Sequence, residues 1–214
     1  MALLPYVRLS LVGNLGGSQT WSFGMSFGCP VLPGDSDIFA WLTAIGPLFN
    51  TWSTGAVFAA NNANVLHATT LSAYGYDAGA TKASVQAAQG LATPIVGTGT
   101  STGDYRQAVV ATFTSGRPGR HGMGRIYIPW TGSSDTATLQ LNATDTGKVS
   151  TATATLLDAI KGHNIGAIAI TPVIAAKGSE PYTGVTGVIV RSRFKTQRRR
   201  SNKIADITTV NTSL

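Results

Sequence analysis

The stretches Tyr6-Val-Arg-Leu-Ser-Leu-Val12 and Gln19-Thr-Trp-Ser-Phe-Gly-Met-Ser-Phe27 alternate apolar and polar residues over most of their length. Alternation is the pattern of a strand with one buried face, because successive side chains of a strand point to opposite faces. The large apolar residues of the second stretch share one face: Trp21, Phe23, Met25 and Phe27. The glycine-rich link at 13–17 is typical of a turn. The sequence therefore predicts an antiparallel hairpin at the start of the chain.

Further strands are predicted where β-branched and aromatic residues alternate between glycine-rich breaks. They cover Asn64–Tyr74, Arg106–Thr114, Arg125–Pro129, Asn164–Thr171 and Thr183–Val190. The segment Lys82–Ala92 fits either a short strand or a poor helix.

Two helices are predicted in the connections. Asp35-Ser-Asp37 can cap a helix whose apolar residues repeat at helical spacing: Phe39, Leu42, Ile45 and Phe49. Gly46-Pro47 makes the second half of this helix doubtful, since proline lacks the N–H that a helix interior requires. The stretch Lys148–Lys161 has the best helical pattern in the chain and ends before Gly162.

About eight strands, two helices and no obvious linker predict a mainly β chain. An antiparallel eight-stranded jelly-roll sandwich with the two helices in its connections fits this order, and another α+β sandwich is the alternative. We expect residues 1–190 to form a single β-rich domain, followed by a basic C-terminal segment at 191–214.

Composition restricts the class of protein. The chain has 214 residues and 43% hydrophobic residues, enough for a substantial core, but only 12% charged residues. This charged share is about half the usual one of roughly a quarter, and it predicts that part of the surface is covered by other copies of the chain. No segment approaches the ~18 apolar residues of a membrane span, and the N-terminus lacks a secretory signal. With Cys29 the single cysteine, we expect a soluble product of a reducing compartment, without a disulfide or a membrane partner.

The charge is concentrated near the C-terminus. Residues 1–100 carry two basic and three acidic groups, whereas residues 101–214 carry fourteen and six. The run Arg191–Lys203 alone holds seven of the sixteen basic residues and no acidic one. Arginine pairs bidentately with phosphate, so a cationic run of this density predicts contact with a nucleic acid. Its basic residues are Arg191, Arg193, Lys195, Arg198, Arg199, Arg200 and Lys203.

The basic run continues the last predicted strand. It is followed by eleven residues in which Asp206 is the sole charge. This pattern predicts a segment held at both ends, which contacts either a genome or a neighbouring subunit. A solvated tail is the alternative.

A second basic cluster surrounds four glycines between two predicted strands. Arg117, Arg120 and Arg125 lie within Gly116–Arg125, where backbone amides could form an anion-binding nest. The sequence matches neither a P-loop nor a dinucleotide-binding motif. A hairpin loop kept soluble by its arginines is the slightly favoured interpretation, and a joint polyanion surface with Arg191–Lys203 is the functional one.

The pattern gives little support to catalysis or to a cofactor. The histidines His67, His121 and His163 are far apart in sequence and have no neighbouring ligand at metal spacing. No serine stands in a nucleophile elbow. We therefore expect a non-enzymatic protein without a metal or a cofactor, and expect its aromatic residues to serve core and subunit packing.

The stretches Gly122-Met-Gly-Arg-Ile-Tyr-Ile-Pro129 and Val188-Ile-Val-Arg-Ser-Arg-Phe-Lys-Thr-Gln-Arg-Arg-Arg-Ser-Asn-Lys203 resemble a pairing in small structural proteins of viruses. In length and in its poverty of Glu and Lys, the chain resembles the single jelly-roll coat proteins of small icosahedral viruses. Many of those proteins carry a basic arm at the N-terminus, whereas this chain begins almost directly with a strand. The resemblance implies that Arg191–Lys203 takes the role of the arm or serves subunit contacts.

The resemblance implies a capsid subunit that is made in the host cytoplasm and assembles in many copies into an icosahedral shell in the virion. Its partners would be itself and a packaged RNA or DNA. The alternatives are a phage tail or head-completion protein, which forms rings or tubes, and a cellular nucleic-acid-binding module, which stays a monomer or dimer.

Overall fold

A computed structural model describes residues 4–14, 20–53, 67–80, 82–96, 107–115, 121–130, 143–174, 183–194 and 210–213. For β5, β6, β8 and β9 the description covers the backbone and its pairing. The described elements in chain order are β1 (Tyr6–Asn14), β2 (Thr20–Gly28), α1 (Asp35–Ser53), β3 (His67–Tyr76), β4 (Val85–Val96), β5 (Gln107–Ser115), β6 (His121–Trp130), α2 (Ala143–Lys161), β7 (Thr171–Ile174), β8 (Thr183–Phe194) and β9 (Val210–Ser213).

The strands pair in the order β4-β3-β1-β2-β6-β5-β8-β7, with β9 beside β8, and every described pairing is antiparallel. One edge of β2 is paired with β1 along its whole length. Its other edge therefore serves two strands, β6 opposite Ser22 and β7 opposite Ser26–Gly28. This shared edge brings the early and the late strands into one sheet.

The prediction of a mainly β, antiparallel chain with two helices in its connections is confirmed. The described part of the chain has nine strands instead of the predicted eight. Because β2 pairs with both β6 and β7, the described strands β2, β6, β5, β8 and β7 form a closed circuit of antiparallel neighbours. These pairings do not confirm the eight-stranded jelly roll.

The predicted N-terminal hairpin is present, and its apolar face forms the centre of the core. Leu9 lies opposite Met25 in the register, and Leu11 lies opposite Phe23. These four side chains are at most 2% exposed. Burying a large apolar side chain contributes about 1.5–3 kcal/mol, so the alternation of the hairpin determines which face of the sheet is covered.

Helix α1 continues through Pro47 to Ser53, although Gly46-Pro47 makes the second half of the helix doubtful by sequence. Proline cannot donate to the carbonyl of Thr43 and costs a helix interior about 3 kcal/mol. Buried side chains on both sides of Pro47 offset this cost, including Ile45 and Phe49, both fully buried. At Gly46 the helix lies so close to β4 that an added Cβ would be 3.3 Å from Leu91 Cδ2.

The ambiguous segment Lys82–Ala92 belongs to strand β4 from Val85 onward. Its residues pair with β3, and Ala87 and Leu91 are buried beneath α1 while Gln86 and Ala88 are exposed. The alternation of small residues was too weak to distinguish a strand from a helix by sequence, and the packing of α1 determines the outcome.

Residues 164–170 form a turn instead of the predicted strand Asn164–Thr171, and β7 begins only at Thr171. The backbone N–H groups of Ile165 and Ile168 each donate to the carbonyl of the other at 3.0 Å. Gly166 adopts φ +60°, a left-handed conformation that glycine adopts without strain. The apolar alternation of this stretch reflects the burial of Ile165 and Ile170 in a turn.

Both helices pack on the same face of the sheet. One core cluster joins Phe23 and Leu71 of the strands to Trp41 of α1 and Leu157 of α2. Trp41 Nε1 also donates to the carbonyl of His163 at 3.1 Å, which links α1 to the turn after α2. Within the described ranges, neither helix has the length and apolarity needed to cross a membrane.

Candidate nucleic-acid interface

Strand β8 carries the first two arginines of the basic run inside the sheet. Arg191 and Arg193 lie near its end, which reaches Phe194, four residues beyond the predicted end at Val190. The β5 strand pairs with β8 along this stretch. The other basic residues of the run lie outside the described residues: Lys195, Arg198, Arg199, Arg200 and Lys203.

The chain returns to the same strand after the basic run. Strand β9 pairs with β8, with Val210 opposite Val190 and Ser213 opposite Gly187. Strands β8 and β9, on either side of residues 195–209, are therefore neighbours in one sheet, in agreement with the prediction of a segment held at both ends.

The register of β6, β5 and β8 brings Arg125 to the same face as Arg191 and Arg193. Directly opposite residues of an antiparallel pair share a face, and so do residues two apart in one strand. Arg125 lies opposite Thr112, Arg191 opposite Val110 and Arg193 opposite Ala108. Three of the predicted site residues thus occupy one face of three neighbouring strands.

This face lies opposite the helices, and we call it the open face of the sheet, although Ser26 of β2 is buried on it with 8% exposure. Ser22 of β2 lies opposite Tyr127, Tyr127 opposite Val110, and Val110 opposite Arg191. Ser22 precedes Phe23, which is 1% exposed in the core beneath α1. Neighbouring residues of a strand belong to opposite faces, so the arginine positions lie across the sheet from the helices.

The stretch 116–120, with Arg117 and Arg120, lies outside the described residues. It connects β5 to β6, which pair as an antiparallel hairpin with Thr114 opposite His121. Strand β6 begins four residues before the predicted start at Arg125. The strands on both sides of this connection therefore pair with each other, and its role as a loop or as an anion-binding nest stays a prediction.

A cluster of tyrosines lies on the open face of β1 and β3. Tyr6 is opposite Tyr76 in the register, and their ring centroids are 4.6 Å apart with an interplanar angle of 7°. Arg8 is opposite Tyr74, two residues along each strand. We call these four residues, Tyr6, Arg8, Tyr74 and Tyr76, the tyrosine platform. Its tyrosines are half-buried and Arg8 is exposed.

The electrostatics of Tyr6 reflect this arrangement. Burial raises the pKa of Tyr6, and the neighbouring Tyr76 raises it further, whereas the Arg8 guanidinium lowers it. The opposing effect of Arg8 means that its positive charge acts at the phenol of Tyr6. A cation thus lies beside the stacked ring pair.

Helix α1 presents a surface with few charges. After Asp37, α1 contains no charged residue up to its end at Ser53. Phe39 is 46% exposed on this surface. An apolar cleft of about 230 Å³ separates α1 from α2 and is lined by Leu48, Thr51, Trp52, Ala152, Thr155, Leu156 and Ala159.

Groups suited to catalysis do not converge in the part of the chain that the structure describes. No cluster of three or more His, Cys, Asp or Glu residues able to hold a metal occurs among the described residues. Cys29 is 1% exposed, and burial raises the pKa of its thiol to about 11. The thiol is therefore protonated at neutral pH and is a poor nucleophile.

No family model, no curated protein and no solved structure matches the chain. The functional interpretation accordingly depends on the charge, register and exposure of its own residues. The tyrosine platform was not among the predicted site residues. Its signal in the sequence is the pair of alternating motifs Tyr6-Val-Arg8 and Tyr74-Gly-Tyr76, which acquire meaning only when β1 and β3 are known to be neighbours.

Proposed function

We propose that the protein is a viral structural protein, the subunit of a capsid that assembles from many copies and contacts the packaged nucleic acid through Arg191–Lys203. The observation that carries this proposal is the position of the arginines. Arg125, Arg191 and Arg193 share the open face of the sheet, and the rest of the basic run continues directly from β8. Guanidinium groups pair bidentately with phosphates, and their planar fork loses less conformational freedom per hydrogen bond than the lysine side chain does.

The uncharged surface of α1 supports the assembly part of the proposal. Interfaces between subunits are depleted of charged residues at their centre and enriched in aromatic ones. The exposed Phe39 and the cleft beside Trp52 provide apolar features on the face across the sheet from the arginines. Copies of the chain would then meet through the helix layer while the open face stays free for the genome.

The finer parts of the proposal stay predictions. The domain would be a jelly-roll sandwich of residues 1–190, with 191–214 as the basic segment, acting in the virion after synthesis in the host cytoplasm. The protein would act without a cofactor, a metal or a membrane partner. Lys195, Arg198, Arg199, Arg200, Lys203, Arg117 and Arg120 would contact RNA or DNA together with the arginines of β6 and β8.

Electron microscopy of the purified full-length chain, combined with the absorbance ratio at 260 and 280 nm, tests the proposal. We expect closed shells that contain nucleic acid. The triple variant Arg198→Gln, Arg199→Gln, Arg200→Gln should form particles with less nucleic acid. A control variant with Lys82→Gln and Lys161→Gln, both exposed and outside the basic run, should retain the wild-type absorbance ratio.

Each alternative class gives a different result. Rings or tubes in the micrographs would indicate a tail or head-completion protein instead of a capsid subunit. A soluble monomer or dimer, even at high concentration with nucleic acid present, would reject a shell protein. Shells whose nucleic acid content is unchanged by the triple arginine variant would remove the proposed role of the basic run.

A further inference from the structure

We propose that the tyrosine platform binds single-stranded nucleic acid by stacking unpaired bases on its rings. This inference rests on the proposed contact with nucleic acid but concerns a site far from the basic run in sequence. It assigns a role to Tyr6, Arg8, Tyr74 and Tyr76, which core packing does not require.

The first argument is the side of the sheet on which these residues lie. Their strand neighbours Val7, Leu9 and Ala73 are fully buried beneath the helices. The platform residues alternate with them and occupy the opposite, open face. An antiparallel sheet with one covered and one solvated face has polar residues on the solvated side, and the three tyrosines there present aromatic rings together with their hydroxyl groups.

The second argument is the geometry of the aromatic rings. Tyr6 and Tyr76 are nearly parallel at 4.6 Å, so each ring uses one face for its partner. A nucleobase added to this pair would extend an existing stack. Aromatic residues on an open antiparallel sheet are the means by which common RNA-binding modules hold two or three unpaired bases.

The third argument is charge. Arg8 and Lys82 are the only basic residues of the first hundred, and Arg8 stands opposite Tyr74 within this aromatic group. Arg8 is exposed, and a guanidinium pairs bidentately with phosphate. Arg8 can therefore pair with a phosphate of a strand whose bases stack on the tyrosines.

The fourth argument is continuity with the arginine positions. Arg8 lies opposite Ser26 of β2, and Ser22 of the same strand lies opposite Tyr127 of β6. The two serines are four residues apart, about 13 Å along a strand. The open face of β2 between them holds only Gly24, so no bulky side chain of β2 separates the platform from Arg125 and Arg191.

The platform favours single strands over duplexes. The bases of a duplex are stacked on each other and cannot reach an aromatic ring on a flat sheet. Stacking on aromatic residues does not depend on base identity, so we expect binding with little sequence preference.

Fluorescence anisotropy with labelled 20-nucleotide single strands, oligo(dT) and oligo(U), and with a mixed-sequence 20-base-pair duplex tests the inference on the full-length chain. Tyr76→Ala should weaken single-strand binding by about 5-fold to 100-fold. Tyr76→Phe retains the ring and should bind as the wild type does. Arg8→Gln should lower the slope of log K against log salt by about 0.7, the value for one phosphate contact.

Val31→Ala is the control, since it truncates a 57% exposed apolar side chain in the connection between β2 and α1 and should leave the affinity unchanged. Far-UV circular dichroism and the urea midpoint of each variant confirm that its fold is intact. If Tyr76→Ala fails to fold, the salt slope of Arg8→Gln, a substitution at an exposed position, tests the inference instead.

Three results would overturn the inference. The first is that folded Tyr76→Ala binds the single strands as tightly as the wild type does. The second is that the wild type binds the duplex and the single strands with equal affinity. The third is that Tyr76→Ala loses shell assembly while its affinity for the oligonucleotides is unchanged. The last would make the platform a contact between copies. Each is distinguishable from failure of the capsid proposal, because nucleic acid packaging through Arg198–Arg200 is measured on separate variants.

Discussion

Phe49→Ala should cause a large loss of stability, because Phe49 lies at the centre of the contact between α1 and the hairpin. Its side chain is fully buried, and its ring packs edge-on against Phe23 with centroids 5.0 Å apart. Truncation of a buried phenylalanine costs about 3–5 kcal/mol, and the greater helix propensity of alanine returns about 0.5 kcal/mol. We expect a net loss of about 3–4 kcal/mol.

Urea unfolding followed by tryptophan fluorescence measures this loss. With a slope of about 2–3 kcal/mol per molar urea, the midpoint should fall by about 1–2 M. Phe39→Ala makes the same chemical change in the same helix at a position that is 46% exposed. Its stability should change by less than about 0.5 kcal/mol. Equal shifts for the two variants would refute the packing of α1 described above.

The turn at Gly166 should not accept a side chain, since its φ is +60° and an added Cβ would lie 2.9 Å from Asp37 Cγ. Gly166→Ala should lose about 1–3 kcal/mol in urea unfolding, while Gly90→Ala, with no neighbour within 4 Å, should stay near wild type. Pro47→Ala should raise the melting temperature, because alanine restores the helical N–H that proline lacks; an unchanged or lower value would mean that the helix needs proline there. The pKa of the Cys29 thiol is raised from 9.0 to about 11 by burial. The contribution of the protonated thiol to the free energy of unfolding is therefore complete below pH 9 and is lost as the pH approaches 11. Cys29→Ala should remove that part of the alkaline decline in stability, and the native thiol should react with a disulfide reagent at pH 8 far more slowly than the unfolded one.

The elements that the sequence predicted well are those whose apolar pattern matches their burial. In β1 the apolar residues Val7, Leu9 and Leu11 are buried in alternation, and the apolar face of β2 is buried at Phe23, Met25 and Phe27. In α1 the helical spacing of Ile45 and Phe49 leads directly to the core. Pro47 was misjudged because local propensity was weighed without the tertiary contacts that outweigh it.

The remaining features depend on contacts between distant parts of the chain. The alternation of Ile165 to Ile170 is the same for a strand as for a turn closed by Gly166. The two partners of β2 on one edge follow from no local pattern. For the candidate site, the arginines are evident in the sequence, whereas the shared face of Arg125 and Arg191 requires the register of β5 with both neighbours.

The division of the sheet into a covered and an open face gives the proposed function a direction. The helix layer carries the exposed Phe39 and no charge in α1 beyond Asp37, while the open face carries Arg8 and the register positions of Arg125, Arg191 and Arg193. Apolar burial and phosphate neutralisation respond oppositely to salt: high salt strengthens the first where the anion is sulfate or phosphate and weakens the second. Under the proposed function, raising ammonium sulfate should therefore release nucleic acid from the open face before it separates the subunits. A chain that used one surface for both contacts would lose them together.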